Sequence, residues 1–447
     1  MTNARPDGGA PWASRLDSLR FNLSQTIPAF AQGTFARRPA LSSFLARRHP
    51  DPLGVRLVSR LRGRYGSDYM WLSVLGKPSL LVLEREGIRH VLDASPELFG
   101  PPDVKVRGMS HFQPGAVTIS VGDEWRRRRR FHDEVLAVGS SVHPRAGELI
   151  GVVEREVRRF LDADRSIVAW PDVHALFGRI AAGVVFGPSA DGAPDVLERL
   201  TALMRESNRI FGLSASPRLA ELQERIRDRV CAPDAGGLAP AVCPHLEPGD
   251  PLPVAGQVPH WLFALKDTLP VNCANTLALI LAHPDVEERA VRAADAADLS
   301  DPAAVDGLTL LEGCLQDTMR LLPTTPMLVR AALRDTDVRE RAVAAGSQVI
   351  IHNGFNHRNP DNVSDPNRFQ PDRWEPGAWS YSFNHLSNGP QACAGREIVL
   401  FLGKAVLSRL LTRRHWTLRR PALPEGGPVP HAIDHYRLEL GSQPVRA

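Results

Sequence analysis

The chain has 447 residues, 43% hydrophobic and 23% charged, which is enough to bury a large core around a bound group. A formal charge of +4 is too weak to argue for nucleic acid. The 5 irregularly spaced cysteines, with no C-x-x-C, argue against a zinc ribbon or a disulfide framework and suit a reducing cytosol.

Residues 1–35 are polar and rich in Gly, Pro and Ala, and predict a flexible N-terminal segment without the apolar run of a signal peptide. The remainder, 36–447, reads as a single domain. Short β-type runs at 70–75 and 80–83 flank Gly76-Lys77-Pro78 and predict a hairpin. Residues 101–120 carry many Pro and Gly and read as a long loop. A basic helix follows over 123–136, and 145–230 is mostly helical in pattern. The stretch 231–258 breaks the pattern and reads as a surface connection between helices. Residues 257–282 form a long apolar helix, hence a buried one. Another helix over 308–322 carries Leu308, Leu311, Leu315, Met319 and Leu322 on one stripe. Val349-Ile350-Ile351 is a strand, 358–392 is irregular, and 396–411 is a nearly all-apolar central helix. These elements make a mainly α chain with a small β portion. No stretch approaches the roughly 18 apolar residues of a membrane span, so no membrane partner is expected.

Cys393 closes a Gly/Pro loop, Asn388-Gly389-Pro390-Gln391-Ala392-Cys393-Ala394-Gly395-Arg396, just before the central helix. A helix N-terminus favours the thiolate, and glycines at 389 and 395 permit close approach of something flat. A thiolate so placed suits an axial haem ligand, whereas a lone cysteine is otherwise a buried structural residue.

The stretch G-x-x-x-C-x-G resembles the cysteine loop of the cytochrome P450 family, with Leu386 where an aromatic residue is usual. Three further stretches follow the family's order. Asp317-Thr318-Met319-Arg320 is similar to its E-x-x-R, with Asp for Glu. Phe369-Gln370-Pro371-Asp372-Arg373-Trp374 is similar to its F-x-P-E-R-F. The resemblance implies a buried cluster of Asp317, Arg320 and Arg373. Ala264-Leu265-Lys266-Asp267-Thr268 looks like the oxygen-activation stretch, with Leu265 in place of glycine. There Asp267 and Thr268 relay protons, and Ala264 lies beside the cofactor. Pro270 removes the N–H that the Lys266 carbonyl needs, so a kink is expected. At 100° per residue His260, Ala264 and Thr268 share a face, and Lys266 points outward to an ion pair.

Trp125-Arg126-Arg127-Arg128-Arg129 resembles the family's W-x-x-x-R, which implies that Trp125 and Arg129 face haem propionates. The arginines between them form either a solvated basic face or a docking patch for a ferredoxin-type partner. Arg330 sits where the family places a propionate-binding arginine. Gln391 stands where His or Arg is usual, two residues before the cysteine, and can still donate a hydrogen bond. Met109, His111 and Phe112 are expected to roof a substrate pocket with His260 and Phe263.

The resemblance implies the cytochrome P450 fold, haem b, electrons from NAD(P)H through redox partners, and a cytoplasmic monooxygenase of the soluble bacterial type. Its substrate is a small organic molecule of specialised metabolism. The departures at Leu265, Lys266, Pro270 and Asp317 keep two alternatives open. One is a peroxygenase, dehydratase or rearrangement catalyst of the same fold. The other is a non-catalytic haem-binding protein.

Overall fold

A computed structural model describes residues 9–48, 53–187, 193–209, 216–246, 253–374 and 381–444. The helices in chain order begin with α1 (Arg15–Phe21), a π turn (Asn22–Thr26), α2 (Ile27–Ala31), α3 (Pro39–Arg48), α4 (Leu53–Tyr65), α5 (Arg85–Asp93) and α6 (Asp103–Ser110). The basic helix is α7 (Gly122–Val135), followed by α8 (Ala146–Asp162), α9 (Trp170–Phe186), α10 (Pro194–Ser207), α11 (Pro217–Val230) and α12 (Ala239–Val242). Then come α13 (Val258–Phe263), α14 (Leu269–Leu281), α15 (Pro284–Asp295), α16 (Pro302–Asp306), α17 (Thr309–Leu321), α18 (Asn353–Asn356) and α19 (Arg396–Arg413).

The β portion is small. One sheet has the order β1 (Tyr69–Val74), β2 (Lys77–Val82), β8 (Gln348–Ile351), β5 (Leu328–Ala332) and β3 (Phe99–Gly100). A second has the order β4 (Ile167–Ala169), β10 (Glu439–Pro444) and β9 (Arg414–Arg420), and β6 (Thr336–Val338) pairs with β7 (Arg341–Val343). The mainly α architecture read from the apolar patterns is the one observed. At its centre lies α19, buried from Leu400 to Leu411 and packed on α8, α14, α15 and α17. A helix apolar on every side has nowhere else to go.

The hairpin forms with Val74 opposite Lys77, so its turn is Leu75-Gly76 rather than 76–78. Both turn residues have positive φ, 47° and 82°, the pairing that matches strand twist in two-residue hairpins.

Four expectations need correction. The segment 9–35 is not a loose tail. Phe21 is fully buried, Phe35 nearly so, and Trp12 stacks on Trp71 at 5.5 Å, so three aromatic anchors outweigh the polar composition. The loop 101–120 contains α6 and a 3₁₀ turn (Val117–Ile119), because its Pro and Gly stand at helix ends. Cys231 and Cys243 are joined in a disulfide, with Cα atoms 5.5 Å apart. The reversal between α11 and α12 brings them into bridging range, which spacing alone does not reveal. The long helix 257–282 is also not uniform. It holds a π turn (Ala264–Thr268) in which the Leu269 N–H reaches the Ala264 carbonyl, so the break at Pro270 is absorbed as one widened turn.

Candidate functional site

The cysteine loop hangs on α17. Asp317 and Arg320 are one turn apart and fully buried, so their charges must be matched inside the protein. Arg320 donates from Nε to Asp317 Oδ1 at 2.6 Å and from Nη2 to Oδ2 at 3.2 Å. Arg373 Nε lies 3.1 Å from Oδ1, the Gln370 N–H reaches Oδ2 at 2.7 Å, and Trp374 Nε1 donates to Oδ1 at 3.0 Å. Aspartate, one methylene shorter than glutamate, is therefore met from all sides. The remaining Arg320 donors go to the carbonyls of His357, Pro366 and Arg368.

Two residues whose part is not visible in the sequence carry this order to the loop. His357 lies between the Arg320 carbonyl and the Asn384 N–H, at 3.1 and 2.8 Å. Since the backbone N–H donates to Nε2, the proton on Nδ1 faces the carbonyl. Asn384 Oδ1 then accepts from Asn388 Nδ2 at 2.7 Å. Neither His357 nor His352, which accepts the Phe355 N–H, is arranged for a metal. No group of three or more His, Cys, Asp or Glu is so arranged among the described residues.

Within the loop, the Cys393 N–H donates to the Leu386 carbonyl at 2.9 Å, so position 386 serves through its backbone. Gly389 has φ 69°, and a Cβ there would stand 2.4 Å from the Leu92 carbonyl oxygen. That glycine is demanded by the close approach of α5, not by a flat ligand. At Gly395 an added Cβ meets only side-chain atoms at 3.7 Å or more.

Cys393 is a free thiol at the head of α19. Burial pushes its pKa up, although the Gly395 N–H and the charges of Arg396 and Arg129 pull the other way. This corrects the expectation of a lowered pKa. One helix end returns less than a buried anion loses in solvation, and a coordinating metal removes the proton outright.

Arg129 makes contacts that the sequence did not suggest. It donates from Nη1 to the carbonyls of Ala392 and Pro390, at 2.7 and 3.2 Å, and pairs with Asp133 at 2.7 Å. Carbonyls exposed by a tight loop need donors, and this arginine supplies them. Trp125 is half-buried on the same helix. Arg126, Arg127 and Arg130 are exposed, whereas Arg128 is buried against Ser120 and Glu124.

Arg330, on β5, is buried, and its Nε has no hydrogen-bond partner. Burial lowers its pKa to about 10. Lys105 of α6, absent from the sequence reading, lies within its field. Burial and then the Arg330 charge push the Lys105 ammonium down to about 7. Among the described residues neither cation has a carboxylate partner. The half-buried Gln391 side chain likewise has no hydrogen-bond partner among them.

On the other side lies the π turn. Asp267 Oδ1 accepts from His174 Nε2 at 3.0 Å and from Lys266 Nζ at 2.9 Å, and Oδ2 takes Lys266 at 3.1 Å. Burial raises the Asp267 pKa, but His174 and Lys266 outweigh it and hold the carboxyl below its usual value. Lys266 is ion-paired as expected yet only 6% exposed, which corrects its outward placement. A wheel drawn at 100° does not hold through a π turn. Thr268 and Ala264 are half-buried, and the Thr268 hydroxyl has no protein partner among the described residues.

The predicted roof residues divide. Phe112, Phe263 and His260 come together, with Phe112–Phe263 centroids 6.4 Å apart and His260–Phe263 6.2 Å. Met109 is buried beside Thr118. His111 instead donates to Glu206 Oε2 at 3.0 Å. His260 has an unpartnered buried Nδ1 and a pKa pushed down to about 3 by burial, then by His132 and Lys105. His132 accepts from Trp261 Nε1 at 3.0 Å and faces Gln257 Oε1 at 2.9 Å, which ties α7 to α13.

These groups suit an iron porphyrin: a soft sulfur donor that is free of any disulfide, and a buried and a half-buried cation without an acid among the described residues for two carboxylates. Arg330 and Lys105 fit the carboxylates without losing a partner, whereas Arg129 already meets Asp133 and the loop carbonyls.

The cytochrome P450 family model matches residues 253–425, a stretch that contains His260, Asp267, Thr268, Asp317, Arg320, Arg373 and Cys393. Cytochrome P450 4c3 of Drosophila melanogaster is 32% identical over 167 residues, 35% of this chain and 31% of the relative. Aromatase of Bos taurus is 31% identical over 157 residues, and human aromatase 29%, each covering 34% of this chain and 31% of the relative. The chain thus spans about a third of the length of these curated relatives.

Proposed function

We propose, on the premise that this chain belongs to the cytochrome P450 family, that it is a haem-thiolate monooxygenase acting on a small organic molecule. The observation that carries this reading is the free Cys393 thiol, presented at the head of α19 by a loop held at both ends.

Haem bound there supplies the chemistry of oxygen activation and of oxidising an unactivated carbon. The chain's own residues do the rest. Cys393 Sγ provides the thiolate, and Arg129 keeps its loop in shape by holding the Ala392 carbonyl. Arg330 and Lys105 would receive the propionates, an exchange of water for anion that a buried and a half-buried cation favour. Phe112, Phe263 and His260 give the substrate a mixed apolar and polar wall. His174 Nε2 carries a proton to Asp267 Oδ1, and the unpartnered Thr268 Oγ1 passes protons on towards the cleft. Electrons come from NAD(P)H through a ferredoxin-type partner. The exposed Arg126, Arg127 and Arg130 support this, since they share α7 with the arginine that reaches the cysteine loop.

Lys266 favours a second reading, peroxide-driven or oxidant-independent chemistry on the same scaffold, because its ammonium occupies both Asp267 oxygens. One set of experiments tests both. Reduced protein with carbon monoxide should show the thiolate-type absorption, and Cys393→Ala should lose it. Turnover requiring NAD(P)H and a ferredoxin supports the monooxygenase; turnover with peroxide alone supports the second reading. An unchanged spectrum in Cys393→Ala defeats both.

A further inference from the structure

We propose that the N-terminal segment 15–31 is a docking face for an anionic lipid bilayer, on which the protein lies without crossing it. The segment is built inside out. Its outward stripe is Leu16, Leu19, Leu23 and Ile27, at helical spacing and 53%, 51%, 56% and 46% exposed. Its inward face is mostly polar. Asp17 accepts from Tyr65 at 2.8 Å, Ser18 Oγ accepts the Ser73 N–H at 3.2 Å, and Asn22 Nδ2 donates to the Ser73 carbonyl at 2.8 Å. Phe21 alone supplies a large apolar anchor on that side. A helix of a water-soluble surface shows the opposite arrangement. Here the polar groups are used to hold the segment in place, and the leucines are left in solvent.

Charge identifies what covers them. Residues 9–65 contain ten arginines against two aspartates and no other charged side chain, a net +8 in a chain whose total is +4. The rest of the molecule is therefore net acidic. Within α1, at 100° per residue, Arg15 and Arg20 fall on either side of Leu16 and Leu19, and both are exposed. Arg38, Arg47 and Arg48 follow on or beside α3, and Arg48 lies over the exposed Phe44 ring at 5.4 Å. Leucines framed by arginines match the boundary between acyl chains and anionic headgroups, where long cationic side chains reach outward. Protein interfaces favour Tyr and Trp at their centres, which this stripe lacks. No helix of the described residues is long and apolar enough to cross a membrane, so the contact lies in the plane of the surface.

The test is flotation of the full-length haem-loaded protein with vesicles. Vesicles of equal parts phosphatidylglycerol and phosphatidylcholine should carry it up, with an affinity about tenfold above phosphatidylcholine alone and falling in high salt. Leu19→Glu with Leu23→Glu should abolish flotation and leave the circular dichroism melt unchanged. Arg15→Gln with Arg48→Gln should weaken it several-fold without touching the stripe. Leu333→Glu, comparably exposed but beside β3 at the opposite edge of the sheet from β1, should bind as wild type. Any of three results overturns the proposal: no flotation with anionic vesicles, equal loss in Leu333→Glu, or a wild-type dimer that the leucine variant dissociates.

Discussion

His174 Nε2 lies 3.0 Å from Asp267 Oδ1, joining a partly exposed imidazole on α9 to the carboxylate of the π turn. The contact links solvent to the residue beside Thr268. His174→Phe should lower product formed per NAD(P)H several-fold while substrate affinity changes little. Stability should fall by only about 0.5–1 kcal/mol, because the pair is about a third exposed. The pH dependence has a definite sign. The native Asp267 pKa is lowered, so its contribution is complete above the usual aspartate value of 3.8 and is lost as pH falls through the native value. Without His174 the acid unfolding midpoint should move to higher pH. Unchanged coupling of NAD(P)H to product in His174→Phe removes the histidine from the proton path.

Asp317 is a site where the family's usual residue should do harm. Its two oxygens already meet Arg320, Arg373, the Gln370 N–H and Trp374, with no exposed surface. Asp317→Glu adds a methylene to a closed space and should cost about 1–3 kcal/mol. Asp317→Asn leaves the buried Arg320 charge uncompensated and should cost more, about 3–5 kcal/mol. Urea unfolding of both variants checks the order. A glutamate variant as stable as wild type means the cluster can expand, contrary to this account.

What could be read from the sequence was local. The apolar run of α19, the stripe of α17 and the acid–arginine spacing at 317 and 320 lie within a few turns of chain, so periodicity exposes them. The pairs that shape the site are distant in sequence. His174 meets Asp267 93 residues away, and Arg129 meets Ala392 263 away. No spacing rule reaches that far. The hold of Arg129 on the loop escapes the sequence for this reason: the carbonyls it meets are visible only once the chain has folded. Lys105 did leave a trace. The chain has only four lysines among 54 basic residues, and two of them, Lys266 and Lys404, are buried in ion pairs. A residue type so scarce repays attention wherever it occurs, because lysine, unlike arginine, gives up its charge readily when buried.

Removing Lys105 or Arg330 should move stability and cofactor affinity in opposite directions. Each is a cation with no acid partner among the described residues, so without cofactor each is a burden on the fold. Lys105→Met should leave the haem-free protein at least as stable as wild type, yet weaken haem retention about tenfold; Arg330→Met should act alike. In haem-free wild type the lowered Lys105 pKa, about 7 against 10.5, is a penalty fully present below pH 7 that disappears as pH rises to 10.5. Stability should therefore climb across that window, and the climb should flatten in Lys105→Met. Thermal melts across pH, with haem transfer to apomyoglobin, measure both effects. A variant that loses stability and keeps its haem contradicts the assignment.

The two glycines of the cysteine loop should respond differently to the same change. Gly389 has a left-handed φ of 69°, and a methyl group there would meet the Leu92 carbonyl oxygen at 2.4 Å, a backbone atom that cannot swing aside. Gly389→Ala should cost about 2–4 kcal/mol from the strained conformation and the clash together. The shift should reach Cys393, since the Gly389 carbonyl accepts the Ala392 N–H at 2.9 Å. At Gly395 the backbone is in an ordinary region and the nearest atoms lie 3.7 Å or more from an added Cβ. Gly395→Ala should change the stability of the haem-free protein by less than about 1 kcal/mol, within the usual range for a glycine at a helix start. Paired unfolding curves of the haem-free variants decide the matter. Equal losses at the two positions mean that Leu92 is not what makes glycine necessary at 389.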